Sequence, residues 1–256
     1  MPRPLPRAKV VATLVGANIV VFLLWQAART QPDLQVFMVR NFLVSAVHVA
    51  NGRWWTLITS AFSHFELWHI ALNMIVLWSF GTLLERILGW RSFLGLYMVS
   101  AVVASVSHCL VSALLLGKPA QAALGASGAV SAVLLVFALL FPREKILIFG
   151  IIPIPALVGA LLFIGLDVFG LMAQRAGGGL PIGHGAHLGG ALTGFLYWAF
   201  VLRRRFAGRF DRPRRPVVLT QSEAEEVERL REKIGRDGVD ALTEEERGFL
   251  RRLHGR

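Results

Sequence analysis

The sequence predicts an all-α membrane protein: a bundle of six transmembrane helices followed by a small cytoplasmic helical hairpin. Three observations carry that expectation. The 256 residues are 55% hydrophobic, with a mean hydropathy of +0.58, which is too apolar for a soluble chain of this length. Six apolar stretches are long enough to cross a bilayer core, which takes about 20 residues. The basic residues alternate between their flanks in the way that fixes orientation.

The first stretch, residues 10–28, follows Arg3, Arg7 and Lys9. It is long enough to span, and no small-residue cleavage site follows it, so it reads as an uncleaved first span. Residues 29–66 form a long outer loop rich in aromatic residues, among them Trp54, Trp55, Phe62 and Phe65, with Trp68 just beyond. Such rings anchor at the membrane–water boundary, so the loop is expected to be a folded interfacial element. Residues 67–84 and 93–116 are the second and third spans, separated by Arg86 and Arg91. Residues 122–141 form the fourth, followed by Arg143 and Lys145. The fifth stretch, residues 146–173, is overlong and carries Pro153 and Pro155. It therefore either starts near Ile154 or kinks there. A Gly177-Gly178-Gly179 loop leads to the sixth span, residues 182–202.

An arginine run, including Arg203, Arg204, Arg205, Arg209, Arg212, Arg214 and Arg215, follows the sixth span. It falls on the same face as the other basic flanks, which makes that face, with both termini, the cytoplasmic one. The net charge of +11 thus suits anionic lipid headgroups and implies no nucleic-acid partner. Residues 220–256 are charged and helically periodic, with Val227, Leu230 and Ile234, then Leu242, Phe249, Leu250 and Leu253. Ser222 with Glu225 and Thr243 with Glu246 have capping-box spacing, and Gly235 and Gly238 separate two helices. The expected organisation is a membrane domain at 1–205, a basic proline-containing linker at 206–219 and a cytoplasmic hairpin at 220–256.

Two small-residue motifs carry chemistry: Gly125-Ala126-Ser127-Gly128 and Gly185-Ala186-His187-Leu188-Gly189. Polar side chains inside a bilayer are costly and mark function by default, although a serine among small residues more often packs helices. Spans two, four and six run in one direction, inward from the outer face. Ser127 and His187 then each lie about five residues, roughly 7–8 Å, below the start of their spans. His69 and Asn73 lie in the first two turns of span two. Their i, i+4 spacing sets both on one helix face. Four polar residues on three parallel helices are thus expected at one depth.

A serine hydroxyl becomes a nucleophile when histidine takes its proton. The developing oxyanion needs preorganised donors. Asn73, His69 and the backbone N–H of Ser127 can supply them. His184, three residues before His187, is a second candidate base nearer the loop. Asp167 and His108 read as structural, and Cys109, the only cysteine, as an inert core residue.

From His64 through Gly194 the chain resembles a rhomboid intramembrane serine protease. The matching pieces are the run from His64 to Asn73, then Gly125-x-Ser127-Gly128, then Ala186-His187-x-x-Gly190, with Glu85-Arg86 and Asp167-Val168-Phe169-Gly170 also similar. The resemblance implies a six-span rhomboid-like bundle and a dyad without an acid, with Ser127 as nucleophile and His187 as general base. It implies that Asn73 and His69 line the oxyanion hole. It implies single-span transmembrane protein substrates cut in or near their membrane segment, with no cofactor and no metal. The nearest match here to the Trp-Arg pair common in that family's first loop is Trp54-Trp55-Thr56, after Arg53.

Other chemistries fit less well. A zinc protease needs histidines four apart in H-E-x-x-H, whereas His64 and His69 are five apart. An aspartyl protease needs two carboxylates sharing a proton, and Asp167 is the only acid deep in a span. A transporter would show repeats or broken helices at midplane. The competing reading within the family is a catalytically silent rhomboid-like protein that binds client transmembrane helices. The basic content suits a bacterial inner membrane, with the active site opening to the outer face.

Overall fold

The computed structural model describes residues 8–148, 151–205 and 220–254. Arg3, Arg7 and the whole 206–219 linker lie outside the described residues. The chain divides into two compact units, Met1–Arg205 and Phe206–Arg256.

The first unit is an all-α membrane bundle. Helix α1, Lys9–Ala28, is the first span. The outer loop folds into short helices, α2 Pro32–Phe42, α3 Ala46–Ala50 and α4 Thr56–Thr59, with a 3₁₀ turn at Ser60–Phe62. Helix α5, Leu67–Val76, runs through a π turn at Leu77–Gly81 into α6, Thr82–Leu88. Helix α7, Trp90–Leu110, also ends in a π turn, Val111–Leu115. Helix α8 is Ser127–Leu140. Strands β1, Lys145–Ile148, and β2, Ile152–Pro155, then pair as an antiparallel hairpin. Helix α9, Ala156–Arg175, and α10, His184–Tyr197, follow. The latter is extended by a π turn, Trp198–Leu202, and the short α11, Arg203–Arg205.

Among the described residues five helical stretches are long and apolar enough to span, while α8 has only 14 residues. The fourth span starts five residues later than the hydropathy predicts. Residues 122–126 are apolar yet not helical. Unwound backbone at membrane depth is tolerated where it lines a cavity rather than lipid. The fifth stretch resolves its two prolines by a hairpin, so its helix begins at Ala156, one residue after Pro155.

Helix α8 is the hub. Eleven of its fourteen residues are buried, whereas α9 exposes Leu161, Leu162, Leu166, Phe169 and Met172 toward lipid. Close approach explains the glycines of α10. A Cβ on Gly190 would stand 1.8 Å from the carbonyl oxygen of Gly128, and one on Gly194 would stand 2.7 Å from that of Ala132. Small residues let helix backbones touch where lipid offers no hydrophobic driving force. Ser107 on α7 adds a 2.7 Å bond from its hydroxyl to the Gly185 carbonyl.

Helix α1 is held at its start. The buried Glu85 carboxylate accepts the free N–H groups of Val10 at 3.0 Å and Val11 at 2.8 Å. Those N–H groups have no partner within their own helix, and negative charge suits that end. At its outer end, Trp25 donates to the Ser63 hydroxyl at 3.1 Å, which donates to the Phe42 carbonyl at 2.9 Å.

In the second unit, α12 is Gln221–Asp237 and α13 is Glu244–His254. The first cap is Thr220 with Glu223 rather than Ser222 with Glu225. Thr243 and Glu246 do form the second, with bonds of 2.8 and 3.2 Å. Gly235 continues α12, and Gly238, at φ +84°, ends it. Leu230 is fully buried.

Candidate active site

The outer loop builds the turn that presents the serine. Val44 and Ala123 exchange backbone bonds of 3.0 and 2.8 Å as an isolated bridge. The Gly125 N–H donates to the Ser60 carbonyl at 2.9 Å. The Ala126 N–H donates to His64 Nε2 at 3.3 Å. His64 can accept because it is neutral: burial, and secondarily the neighbouring His69, push its pKa down to about 3. Gly125 adopts φ +120°, a conformation closed to most side chains. A Cβ there would lie 2.7 Å from the His69 ring. Immediately after this turn the chain enters α8, so Ser127 is its first helical residue and not about five residues in. Its N–H, like its neighbour's, lacks an intrahelical partner.

Helix α10 starts at His184, which places His187 in its first turn. His187 Nε2 lies 2.8 Å from Ser127 Oγ. Helix α9 completes the arrangement with an acid. Asp167 Oδ1 lies 2.9 Å from His187 Nδ1 and 2.7 Å from His184 Nδ1. A carboxylate oxygen can accept an N–H from each Nδ1. In that arrangement the Nε2 lone pair of His187 faces the serine hydroxyl. Phe163, one turn before Asp167, lies against the same ring, with centroids 5.5 Å apart.

His69 and Asn73 border the same cavity as Ser127 and His187, a space of about 790 Å³ whose walls are mostly apolar and include Leu72, Val76, Leu134 and Phe163. Asn73 Nδ2 donates one hydrogen to the His69 carbonyl at 2.8 Å and retains a second for a ligand. All four predicted residues are thus brought together. Two readings change. Asp167 does more than support helix contacts, since it bonds the ring that meets Ser127. His184 faces Asp167 rather than the serine. His108 borders the cavity and is bonded to the Gln121 carbonyl at 3.0 Å. The signal for Asp167 was present in the sequence: a lone carboxylate in a span, in a chain whose next span opens with two histidines three residues apart.

Comparison with known proteins gives the family. The Rhomboid domain family model matches residues 51–204. RHOMBOID-like protein 12, mitochondrial, of Arabidopsis thaliana is 36% identical over 209 residues, 77% of this chain and 60% of that protein. Rhomboid protein 1, mitochondrial, of Saccharomyces cerevisiae is 38% identical over 195 residues, covering 75% and 53%. The human presenilin-associated rhomboid-like protein, mitochondrial, is 33% identical over 196 residues, covering 74% and 47%. The matched part of the chain thus spans about half the length of these curated relatives. Their names overturn the expectation of a bacterial inner membrane: all three are mitochondrial proteins. The physical reason for the error is that basic flanks report which side of a membrane is which, not which membrane it is.

Proposed function

Because the chain belongs to the rhomboid family, we propose that it is an intramembrane serine endopeptidase that cuts single-span membrane proteins in or beside their membrane segment. The observation that carries this reading is the 2.8 Å approach of Ser127 Oγ to a histidine nitrogen whose other nitrogen is held by a carboxylate. The relatives' names favour a mitochondrial membrane as its location.

The chemistry follows from the positions. Ser127 Oγ attacks the substrate carbonyl carbon as its proton passes to His187 Nε2. The carbonyl oxygen becomes an oxyanion beside the Asn73 amide, the His69 ring and the Ser127 N–H. Collapse breaks the C–N bond, and His187 returns the proton to the departing amine. Water then enters, loses a proton to His187 and releases the acyl group from Ser127. Asp167 acts as a positioning residue, since it holds the ring and favours the imidazolium that forms. A substrate helix must unwind to present its carbonyl, because an intact helix keeps it hydrogen-bonded.

The test is cleavage of a reconstituted single-span substrate by the purified chain. The wild type should cut it, and Ser127→Ala should lose activity by about 10³-fold or more while keeping its helical spectrum and thermal transition. A folded Ser127→Ala protein that still cleaves would reject the assignment. A folded wild type that binds the substrate without cutting it would favour a client-binding role.

A further inference from the structure

The bond from Asp167 to His187 has a use in the proposed reaction, and the bond from Asp167 to His184 has none. Yet His184 is deliberately accommodated. Gly170, three residues after Asp167 on α9, leaves the space its ring fills, since a Cβ there would lie 2.2 Å from His184 Nε2. Asp167 Oδ1, His184 Nδ1 and His187 Nδ1 consequently converge, all within 4.8 Å of one another. The three side chains are nearly enclosed, at 6%, 8% and 12% exposure.

We propose that these three atoms form an inhibitory binding site for a divalent transition metal, with zinc as the best-matched ion. Two imidazoles and one carboxylate are a ligand set suited to zinc, with ligand bonds of about 2.0–2.2 Å. On a tetrahedral ion such atoms sit roughly 3.3 Å apart, so Asp167 Oδ1 must draw back by about half an ångström from its 2.7 and 2.9 Å spacings, while the two Nδ1 atoms, within 4.8 Å of each other, adjust to the same separation. His187 borders the cavity, from which water would supply the fourth ligand.

Occupation switches off the base through its tautomer. A metal on His187 Nδ1 takes the lone pair that the Nδ1 proton occupied. The neutral ring then carries that proton on Nε2, and His184 does the same. No proton leaves the site in this exchange. Nε2–H now donates toward Ser127 Oγ and has no lone pair with which to accept the serine's proton. The metal therefore inhibits without touching the serine, and its removal restores the original tautomer. The inhibition rests on the Ser127–His187 reading, whereas metal binding does not.

Binding and inhibition are tested separately. The full chain carrying Ser127→Ala is titrated with cobalt(II), whose four-coordinate complexes absorb visible light. The band should appear, and adding His184→Gln should abolish it. Wild-type cleavage is then measured against buffered zinc(II), each protein relative to its own zinc-free rate. Zinc should inhibit the wild type, and a chelator should restore it. His184→Gln should need about tenfold more zinc or higher, since even outer ligand partners are worth 10- to 100-fold in metal affinity. Gly170→Ala should do the same by displacing the ring without deleting it. Absence of the cobalt band in Ser127→Ala, or equal zinc sensitivity in wild type and His184→Gln, overturns the proposal. A cobalt band in a chain that cleaves nothing upholds the metal site and rejects the protease reading instead.

Discussion

A single carboxylate oxygen decides which nitrogen of His187 meets the serine. Asp167→Asn keeps the size of the side chain but presents an amide that can donate, which permits the wrong tautomer. The expected result is a fall in kcat of about 10²- to 10⁴-fold with KM little changed, and partial rescue by Asp167→Glu. A merely structural role would change stability and leave kcat in the folded fraction intact. His64 acts in the neutral state. The unfolded chain gains its proton near pH 6.5 and the folded chain only near 3. Between those values the unfolded state binds more protons, so stability should fall as pH drops from about 6.5 toward 3, by up to about 1.4 kcal/mol per pH unit. Denaturation of wild type and His64→Gln across that range checks the slope, which should be shallower in the variant.

Among the elements, α8 and α10 are matched by their glycines. Gly190→Ala would place a methyl into the Gly128 backbone, which cannot yield as a flexible side chain does. Helix separation should rise and activity should be lost together, read as a lowered thermal transition and reduced cleavage. At the start of α1, Glu85→Ala removes the acceptor of two N–H groups. The cost should be about 3 kcal/mol, at roughly 1.5 kcal/mol per hydrogen bond to a charged group, visible in detergent unfolding. Much of this level was legible in the sequence. The i, i+4 pair on α5 and the basic flanks together placed His69, Asn73, Ser127 and His187 at one end of three parallel helices. The start of α8 was not legible, because apolar residues at 122–126 score alike whether they form a helix or line a cavity. Nor was the pairing of Lys145–Ile148 with Ile152–Pro155, whose isoleucines and prolines read as a continued span. The bridge from Val44 to Ala123 joins residues with no periodic relation, so no local pattern announces it.

The molecule as a whole combines a membrane unit with an appended charged one. The sequence separated these by composition alone, since apolar spans and a charged amphipathic hairpin have little in common. It left Asp167 without its histidine partners because a lone acid on one helix reveals them only once the helices are assembled. In the second unit, Lys233, the Thr243 backbone and Arg229 hold the Glu246 carboxyl down at about 2. A carboxyl held low contributes stability above its unfolded value and loses it as pH falls through the folded one. Protection of the α12 and α13 amides in the full chain, taken relative to the unstructured-peptide exchange rate at each pH, should therefore fall between about pH 4.5 and 2, and less so in Glu246→Gln.

The central claim, that His187 activates Ser127, is tested most directly by mapping the adduct of a fluorophosphonate probe on the purified chain. A single phosphonylated residue, Ser127, with labelling lost in His187→Ala and sharply slowed in Asp167→Asn, is the predicted outcome. Unmodified Ser127 in a folded protein, or labelling that persists without His187, would contradict it.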